Sequence, residues 1–397
     1  MYTYYGRPSI RGFIHYIITN TYFFLDLKQS PFYKYLMIIT NADLFRLKIP
    51  FKMSFSHSKA DRFFSDSVIL KVIGKTDGGT SLCGWGEAVI RDYVSGSIGG
   101  NPDGFETVSE AFKRLLAPFR DIPLTTDRTI GQLLKTEPAV EELPLLCAVE
   151  TALLDMLCRG MNIDIYTLLG HPPVRDVIIY GGTLPIMPLP AAEKLLSGYL
   201  KMGISSLRIK MDQNTDRNMG TARLARRIMG PDYDLRVDAN AGWSADYAAE
   251  IIPELEMEGI TIIEEPFGRI TPGKQDPLKE LITGGKTGNI VFMADESALT
   301  VEDIRKAAAE GTFSMINIRL AKNGGILKAL AMAKEAERLG IRYQAGCHVG
   351  ETGILSAAGR AAASMMKNPE YTDGSYDSHL LGGNITTEDM SFGAGGR

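Results

Sequence analysis

The chain has 397 residues, of which 45% are hydrophobic and 23% are charged, and its formal net charge is −4. This length suits two globular domains, and the slightly acidic balance gives no basic face, so we expect no nucleic-acid partner. The four cysteines show neither a paired spacing nor a disulfide framework, which favours reduced thiols in a cytoplasmic protein.

The first 36 residues differ from the rest of the chain, because they are rich in Tyr and Phe without a strand or helix period. A signal peptide is one interpretation, since Arg7 and Arg11 precede an apolar run at residues 13–25. Polar residues interrupt this run, no small-residue cleavage site follows, and the run is too short to cross a membrane. We therefore expect residues 1–36 to be a poorly ordered upstream extension, and no membrane contact.

Residues 37–145 have the pattern of an α+β domain. Strands are predicted at residues 38–49, 67–74 and 82–88, with turn signals between them that are typical of an antiparallel meander. Helices are predicted at residues 106–117 and 145–159 from their apolar spacing. The polar stretch 54–62, which contains His57, predicts a mobile loop that is either a lid over a site or a solvated connection.

From residue 177 onward, strand-like and helix-like segments alternate seven times, which favours a parallel sheet closed as a barrel over residues 146–370. An open doubly wound sheet is the alternative, but no strand is followed by a glycine-rich nucleotide-binding loop. The predicted strands are 177–180, 207–210, 235–237, 260–263, 290–293, 315–320 and 341–345. The predicted helices are 191–201, 215–229, 245–257, 278–282, 301–309, 326–339 and 354–366. Residues 371–397 are expected to return to the first domain.

Ionisable residues end four successive predicted strands: Lys210, Asp238, Glu264 and Asp295. They are 28, 26 and 31 residues apart (210 to 238, 238 to 264, 264 to 295), and one βα unit of a barrel takes about 30 residues. The four side chains should therefore converge at the mouth of the barrel. Three carboxylates around one point favour a divalent cation such as Mg²⁺, although a single carboxylate at a strand end often caps the next helix instead.

Each carboxylate has a polar neighbour, and these are Asn240, Glu265 and Glu296. Such neighbours orient metal ligands through hydrogen bonds. Glu265 is itself an alternative ligand, because the sequence does not distinguish two adjacent carboxylates.

Lys210 and Arg208 lie two residues apart on one strand, so both side chains face the barrel interior. A lysine beside a fixed positive charge loses its proton more easily, which suits a general base. Arg208 stays protonated, and we expect it to assist Lys210 or to hold a substrate oxygen. A structural ion pair inside the barrel is the alternative.

Three further candidates follow the sixth and seventh predicted strands. Arg319 ends the sixth strand, and Lys322 is expected in the loop beyond it. His348 and Glu351 lie in a glycine-rich turn after the seventh strand and are candidate substrate contacts. A lone histidine in a loop is also commonly a bystander.

The spacing of Asp238, Glu264 and Asp295, the segment 208–210 and the segment 321–325 (AKNGG) make the chain similar to the enolase superfamily. Within it, residues 37–397 resemble the muconate lactonizing enzyme subgroup of the mandelate racemase/muconate lactonizing enzyme family. The resemblance implies an α/β fold: a modified TIM barrel, (β/α)7β, with an N-terminal α+β capping domain. It implies Mg²⁺, or Mn²⁺, on the three carboxylates, and it places the substrate-closing loop at residues 54–62.

The same resemblance implies that Lys210 removes the proton α to the carboxylate of a small substrate, that the metal stabilises the resulting enediolate, and that the protein is a homo-oligomer. The chain departs from the family at Arg319, where a second catalytic lysine is usual. Because arginine is a poor base, we expect one-base chemistry, either a cycloisomerase or a dehydratase or other lyase. The alternatives are a racemase or epimerase of amino-acid or dipeptide derivatives, and a non-catalytic relative that binds a metal or ligand.

Overall fold

The computed structural model describes residues 36–98, 104–270 and 275–397. The extension expected at residues 1–36 lies outside this part of the chain, apart from Leu36. None of the helices in the described ranges combines the length and the apolar character needed to cross a bilayer.

The N-terminal region contains five strands, two of which form a separate hairpin. Their bounds are β1 (Met37–Arg46), β2 (Ile49–His57), β3 (Ala60–Ser65), β4 (Val68–Thr76) and β5 (Ser81–Ala88). Strands β1, β4 and β5 form an antiparallel sheet in that order, and β2 pairs with β3. The predicted meander is present, with a hairpin inserted after its first strand.

The prediction of a loop at residues 54–62 was wrong, since only the turn between β2 and β3 is a loop. Phe55 and His57 are buried and alternate with the less buried Ser56, which gives one half-buried face of a strand. The polar composition hid this alternation.

Helices complete the cap, and the longest of them packs on its sheet. They are α1 (Asp92–Ser95), α2 (Phe105–Leu116), α3 (Thr126–Lys135), α4 (Leu143–Met161) and α5 (Ile165–Leu169). The domain boundary expected at residue 145 lies inside α4. This helix approaches β5 so closely that a Cβ atom on Gly84 would lie 2.0 Å from the carbonyl oxygen of Ala152. The cap sheet and α4 therefore form one packed layer.

Eight parallel strands form the barrel: β6 (Gly182–Leu184), β7 (Ser206–Lys210), β8 (Asp234–Asp238), β9 (Ile262–Glu264), β10 (Val291–Ala294), β11 (Met315–Arg319), β12 (Arg342–Gly346) and β13 (Tyr371–Thr372). The amide of Gly181 donates to the carbonyl of Thr372 at 2.9 Å and joins the two ends of the sheet.

Helices follow the first seven barrel strands, which confirms the predicted (β/α)7β barrel. They are α6 (Leu189–Met202), α7 (Thr215–Met229), α8 (Ala245–Met257), α9 (Pro277–Thr283), α10 (Val301–Glu310), a short α11 (Leu320–Asn323), α12 (Ile326–Leu339) and α13 (Gly353–Met365). A last short helix, α14 (Asp377–Leu380), follows β13.

Two barrel strands differ from the sequence prediction. The first strand is β6 rather than residues 177–180, because Val177 and Ile179 are about half exposed and the strand uses the glycine-containing segment after them. Residues 371–372 were expected in the cap but pair with β12 as the eighth strand. The following chain does reach the cap, because the amide of Gly382 donates to the carbonyl of Pro50 at 2.7 Å.

The close approach of β5 and α4 predicts a specific sensitivity. Gly84→Ala should lower the free energy of unfolding by about 1–3 kcal/mol, because the new methyl group overlaps the backbone of Ala152 and Met156. Denaturant unfolding monitored by circular dichroism measures this change. Gly131→Ala in α3 is the matched control: its Cβ meets no atom within 4 Å, so it should stabilise by roughly 0.5–1 kcal/mol. Equal effects of both substitutions would contradict the packing argument.

Candidate active site

The charged residues predicted at strand ends meet at the C-terminal mouth of the barrel. Lys210 pairs in register with Asp238, and Asp238 pairs with Glu264, so three neighbouring strands end in charged side chains at the same level. Asp295 follows β10 directly, and Arg319 ends β11. All five are buried, so each charge needs a partner within the protein.

Lys210 is held by two partners. Its Nζ donates to Asp238 Oδ2 at 2.5 Å and to Asn240 Oδ1 at 2.9 Å. These contacts hold the amine at the end of β7, beside the carboxylates.

Arg208 is paired more fully than the sequence indicates. Its Nη1 donates to Glu264 Oε2 at 2.8 Å, and its Nη2 lies 3.2 Å from Asp373 Oδ2. Although burial disfavours its charge, Glu264, Asp373 and Asp238 raise the pKa of Arg208 well above its usual value. Because carboxylates compensate the guanidinium, the expectation that Arg208 promotes proton loss from Lys210 is not supported by this arrangement. Asp373 was missed because it follows the short eighth strand, which the sequence does not reveal.

Arg319 lies opposite Lys210. Strands β7 and β11 are four positions apart in the order of the eight barrel strands. Arg319 Nη2 donates to Glu264 Oε1 at 3.1 Å and also contacts Asp295 Oδ2. Burial disfavours its charge, but Asp295 and Glu264 raise the pKa of Arg319 above the usual value. The side chain is therefore a fixed cation that bridges two carboxylates.

Lys322 lies in the short helix α11 rather than in an open loop, and this corrects its expected role as a substrate contact. Its side chain is fully buried, and Nζ donates to Asp295 Oδ1 at 2.9 Å, to the Asp295 carbonyl at 2.7 Å and to the Asn317 carbonyl at 2.6 Å. All three ammonium hydrogens have protein acceptors. Lys322 therefore positions Asp295.

The polar neighbours divide into two groups. Asn240 donates from Nδ2 to Glu296 Oε1 at 3.3 Å, and its backbone amide donates to Asp238 Oδ1 at 2.8 Å. Glu265 accepts the amides of Asp295 at 2.6 Å and of Ser297 at 3.1 Å. Glu264 instead shares Arg208 with Asp238 and shares Arg319 with Asp295. Sequence reasoning missed Asn317, which donates from Nδ2 to Glu264 Oε1 at 2.6 Å.

Burial raises the pKa of Glu265 to about 7 and that of Glu296 well above its usual range, with Asp295 adding to both effects. Glu265 and Asn240 also have positive φ angles, 39° and 47°. A left-handed backbone is uncommon outside glycine and is typical of functional segments.

Asp238, Glu264 and Asp295 form a donor set that fits Mg²⁺, which prefers carboxylate oxygens. Asp238 and Glu264 direct one oxygen each toward the same cation, because Arg208 Nη1 lies 3.5 Å from Asp238 Oδ2 and 2.8 Å from Glu264 Oε2. As these side chains stand, the described residues contain no cluster of three His, Cys, Asp or Glu groups spaced to hold an ion, because protein cations lie between the carboxylates. The chemistry of the donors therefore fits a divalent cation, and its binding requires the neighbouring cations to shift.

The hairpin β2–β3 lies against the barrel mouth. Ser58 Oγ donates to the carbonyl of Ala239 at 2.6 Å, one residue beyond Asp238. His57 Nε2 lies 3.3 Å from the Tyr93 hydroxyl. Burial and then the charge of Lys210 lower the pKa of His57 to about 2, so its ring is neutral. The hairpin thus brings His57 next to the charged cluster.

His348 and Glu351 share the turn after β12. Glu351 Oε1 accepts the backbone amide of His348 at 2.6 Å. Burial raises the pKa of Glu351 to about 8, whereas burial and the charge of Arg319 hold the pKa of His348 well below its usual value. Both side chains are therefore uncharged near neutral pH. Neither ring nitrogen of His348 has a hydrogen-bond partner among the described residues.

Curated relatives match over most of the chain. The hydrophobic dipeptide epimerase of Enterococcus faecalis is 28% identical over 322 residues, which is 80% of this chain and 84% of that protein. The L-Ala-D/L-Glu epimerase of Clostridium acetobutylicum is 28% identical over 346 residues, 85% of this chain and 90% of that protein.

Solved structures show the same fold. Muconate lactonizing enzyme from Pseudomonas fluorescens, in complex with muconolactone, has a TM-score of 0.75 at 22% identity and covers 89% of this chain and 91% of its own. The dipeptide epimerase of Enterococcus faecalis, complexed with Mg and L-Leu-L-Tyr, has a TM-score of 0.74 at 23% identity and covers 90% and 99%.

The family described as "Enolase C-terminal domain-like" matches residues 191–396, which contain Lys210, the three carboxylates and Arg319. Together with the (β/α)7β barrel and the strand-end carboxylates, this match confirms the resemblance found in the sequence. The chain belongs to the enolase superfamily, as a member of its enolase C-terminal domain-like family.

Proposed function

We propose that this protein epimerises the α-carbon of an N-acyl amino acid or dipeptide, with Lys210 as the base that removes the α proton. The observation that carries the proposal is the position of Lys210 Nζ, which is held by Asp238 and Asn240 at the end of β7. The relatives named as dipeptide and L-Ala-D/L-Glu epimerases support this substrate class. They support it better than the one-base chemistry expected from the sequence.

In this proposal Asp238, Glu264 and Asp295 hold Mg²⁺. When bound, this ion stabilises the negative charge that develops on a substrate carboxylate as the α proton leaves. Lys210 accepts that proton on one face. An epimer requires proton delivery from the other face, toward which Arg319 lies across the barrel. Because this guanidinium keeps its proton, we infer that a solvent water molecule beside Arg319 gives up the proton and that the hydroxide left behind returns to solvent.

One-base chemistry by a lyase or cycloisomerase is the second candidate, and Arg319 favours it. Two carboxylates fix the charge of this guanidinium, and an arginine does not act as a base near neutral pH. Arg319 would then stabilise the anionic form of the substrate without receiving a proton.

Exchange in D₂O separates these candidates. With Mg²⁺ and a panel of acylated amino acids, dipeptides and muconates, the proposal predicts α-deuterium incorporation with formation of both stereoisomers. Retention of configuration at every exchanging carbon would support one-base chemistry and reject the epimerase. The absence of exchange across the panel would instead favour a non-catalytic binding protein.

Lys210→Ala tests the assignment of the base. It should slow α-proton exchange on the order of 10³-fold, because general-base catalysis contributes about 10²–10⁴-fold. Proton exchange followed by nuclear magnetic resonance measures the rate, and calorimetry should show that Mg²⁺ still binds. The exposed Lys201 provides the control, Lys201→Ala. Persistence of exchange in Lys210→Ala would mean that another residue is the base.

Lys322→Met tests the positioning of Asp295. It should lower the free energy of unfolding by about 3–5 kcal/mol, because a buried carboxylate and two carbonyls lose their shared partner. Mg²⁺ affinity should fall with it, since Asp295 is no longer held. Lys367 is exposed, and Lys367→Met should change stability by less than about 0.5 kcal/mol. Denaturant unfolding and calorimetry compare the two, and indistinguishable variants would refute the positioning role.

A further inference from the structure

A cavity of about 220 Å³ opens beside the charged cluster. Its walls come from the ends of β6, β7, β12 and β13, and include Thr183, Arg208, His348 and Tyr376. The carboxylates Asp238, Glu264 and Asp295 lie on the other side, at β8, β9 and β10. A substrate whose carboxylate lies at that cluster would therefore extend its remaining part toward this cavity.

Much of the cavity surface is apolar. Phe55 of the hairpin, Leu195 and Met202 of α6, and Phe392 near the C-terminus all line it. Its volume corresponds to about seven water molecules at ~30 Å³ each, so one side chain or one short acyl chain fills it.

Most of the polar groups in these walls already have partners within the protein. The Tyr199 hydroxyl donates to the carbonyl of Thr183 at 3.0 Å, and the Tyr376 hydroxyl donates to the carbonyl of Gly181 at 2.7 Å. Arg208 is paired through Nη1 with Glu264 and through Nη2 with Asp373, and its Nε alone lacks a partner among the described residues. These groups therefore have little capacity left for a charged ligand, whose desolvation would go uncompensated.

His348 differs from these groups because its whole ring lacks partners. Only 3% of its surface is exposed, and neither ring nitrogen has a partner among the described residues. Buried polar groups are normally hydrogen-bonded, so a ligand is the expected partner. A neutral imidazole offers one N–H donor and one nitrogen acceptor, which matches the carbonyl and the N–H of an amide.

We propose that this cavity is a recognition subsite for an amide-linked, uncharged acyl group: His348 binds the amide, and the apolar walls enclose the acyl chain. This inference rests on the proposed function for the position of the reacting carbon. It goes further by specifying the acyl end of the substrate. Glu351 beside His348 adds no charge, because burial raises its pKa to about 8.

Two acyl groups of equal length provide the test. N-butanoyl and N-succinyl derivatives of the same amino acids differ by a terminal carboxylate. With the full chain and Mg²⁺, the butanoyl series should have a kcat/KM for α-proton exchange at least about 100-fold higher, and a correspondingly lower Kd by calorimetry. Equal or tighter binding of the succinyl series overturns the inference.

His348 is tested with an ester analogue in which oxygen replaces the amide N–H. The protein should prefer the N-butanoyl amino acid to the O-butanoyl hydroxy acid by at least about 10-fold in Kd. His348→Ala should abolish this preference and raise KM more than it lowers kcat, and His348→Gln should restore part of the preference. An unchanged preference in His348→Ala overturns the assignment.

A charge placed in the wall should reverse the selectivity. Leu195→Lys in α6 should weaken butanoyl binding and strengthen succinyl binding, and Leu189→Lys, on an exposed position of the same helix, should change neither. If Leu195→Lys leaves the ratio of the two Kd values unchanged, the acyl chain does not lie in this cavity and the inference is overturned.

Binding also separates the inference from the proposed function. If no compound exchanges its α proton but Kd favours the butanoyl series and depends on His348, the proposed epimerase is rejected and the subsite is supported. If exchange occurs without preference between the two acyl groups, the epimerase is supported and the subsite is rejected.

Discussion

The buried alternation of carboxylates and cations at the barrel mouth is the constraint on which this site depends. Asp238, Glu264 and Asp295 are buried, and each contacts at least one of Arg208, Lys210, Arg319 and Lys322. Burying such ions costs several kcal/mol each, and removing one partner leaves the other charge buried and unpaired. The acids and bases of the cluster must therefore be present as a set. Arg319 fits this set because its Nη2 lies between Glu264 and Asp295 and contacts both carboxylates.

Charge balance also connects metal binding to the proposed chemistry. Since the carboxylates are already compensated, a divalent cation would add two positive charges to a nearly neutral buried cluster. A substrate carboxylate supplies one compensating charge, and loss of the proton from Lys210 removes one positive charge. Arg319 cannot lower the positive charge of the cluster in this way, because it does not deprotonate. In the proposed reaction the base is therefore Lys210 and not Arg319.

The sequence was sufficient for the barrel and for the carboxylates, because both follow from regular spacing along the chain. Strand-end residues one βα unit apart must converge when the strands are parallel. The spacing could not reveal Asp373 or Asn317, whose contacts with Arg208 and Glu264 arise only when the barrel closes. The position of Lys322 was predicted wrongly because the glycines that follow it suggested an open loop. In the structure α11 begins directly after β11, and Lys322 Nζ points inward to Asp295. The hairpin was missed because its strands have only three buried residues, Phe55, His57 and Ser65.

The cap reaches the site through buried carboxylates that bind helix N-termini. Glu87 of β5 accepts the Thr352 amide at 3.0 Å and its hydroxyl at 2.7 Å, where α13 begins and the turn carrying His348 and Glu351 ends. A carboxylate at a helix N-terminus is stabilised by the free amides and the helix dipole, so this contact fixes the turn to the cap. The cap also reaches the charged cluster, because Ser58 of the hairpin donates to the carbonyl of Ala239, between the two partners of Lys210, Asp238 and Asn240. Glu87 and the hairpin therefore connect the cap to two different parts of the barrel mouth: the turn that carries His348, and the segment that holds Lys210.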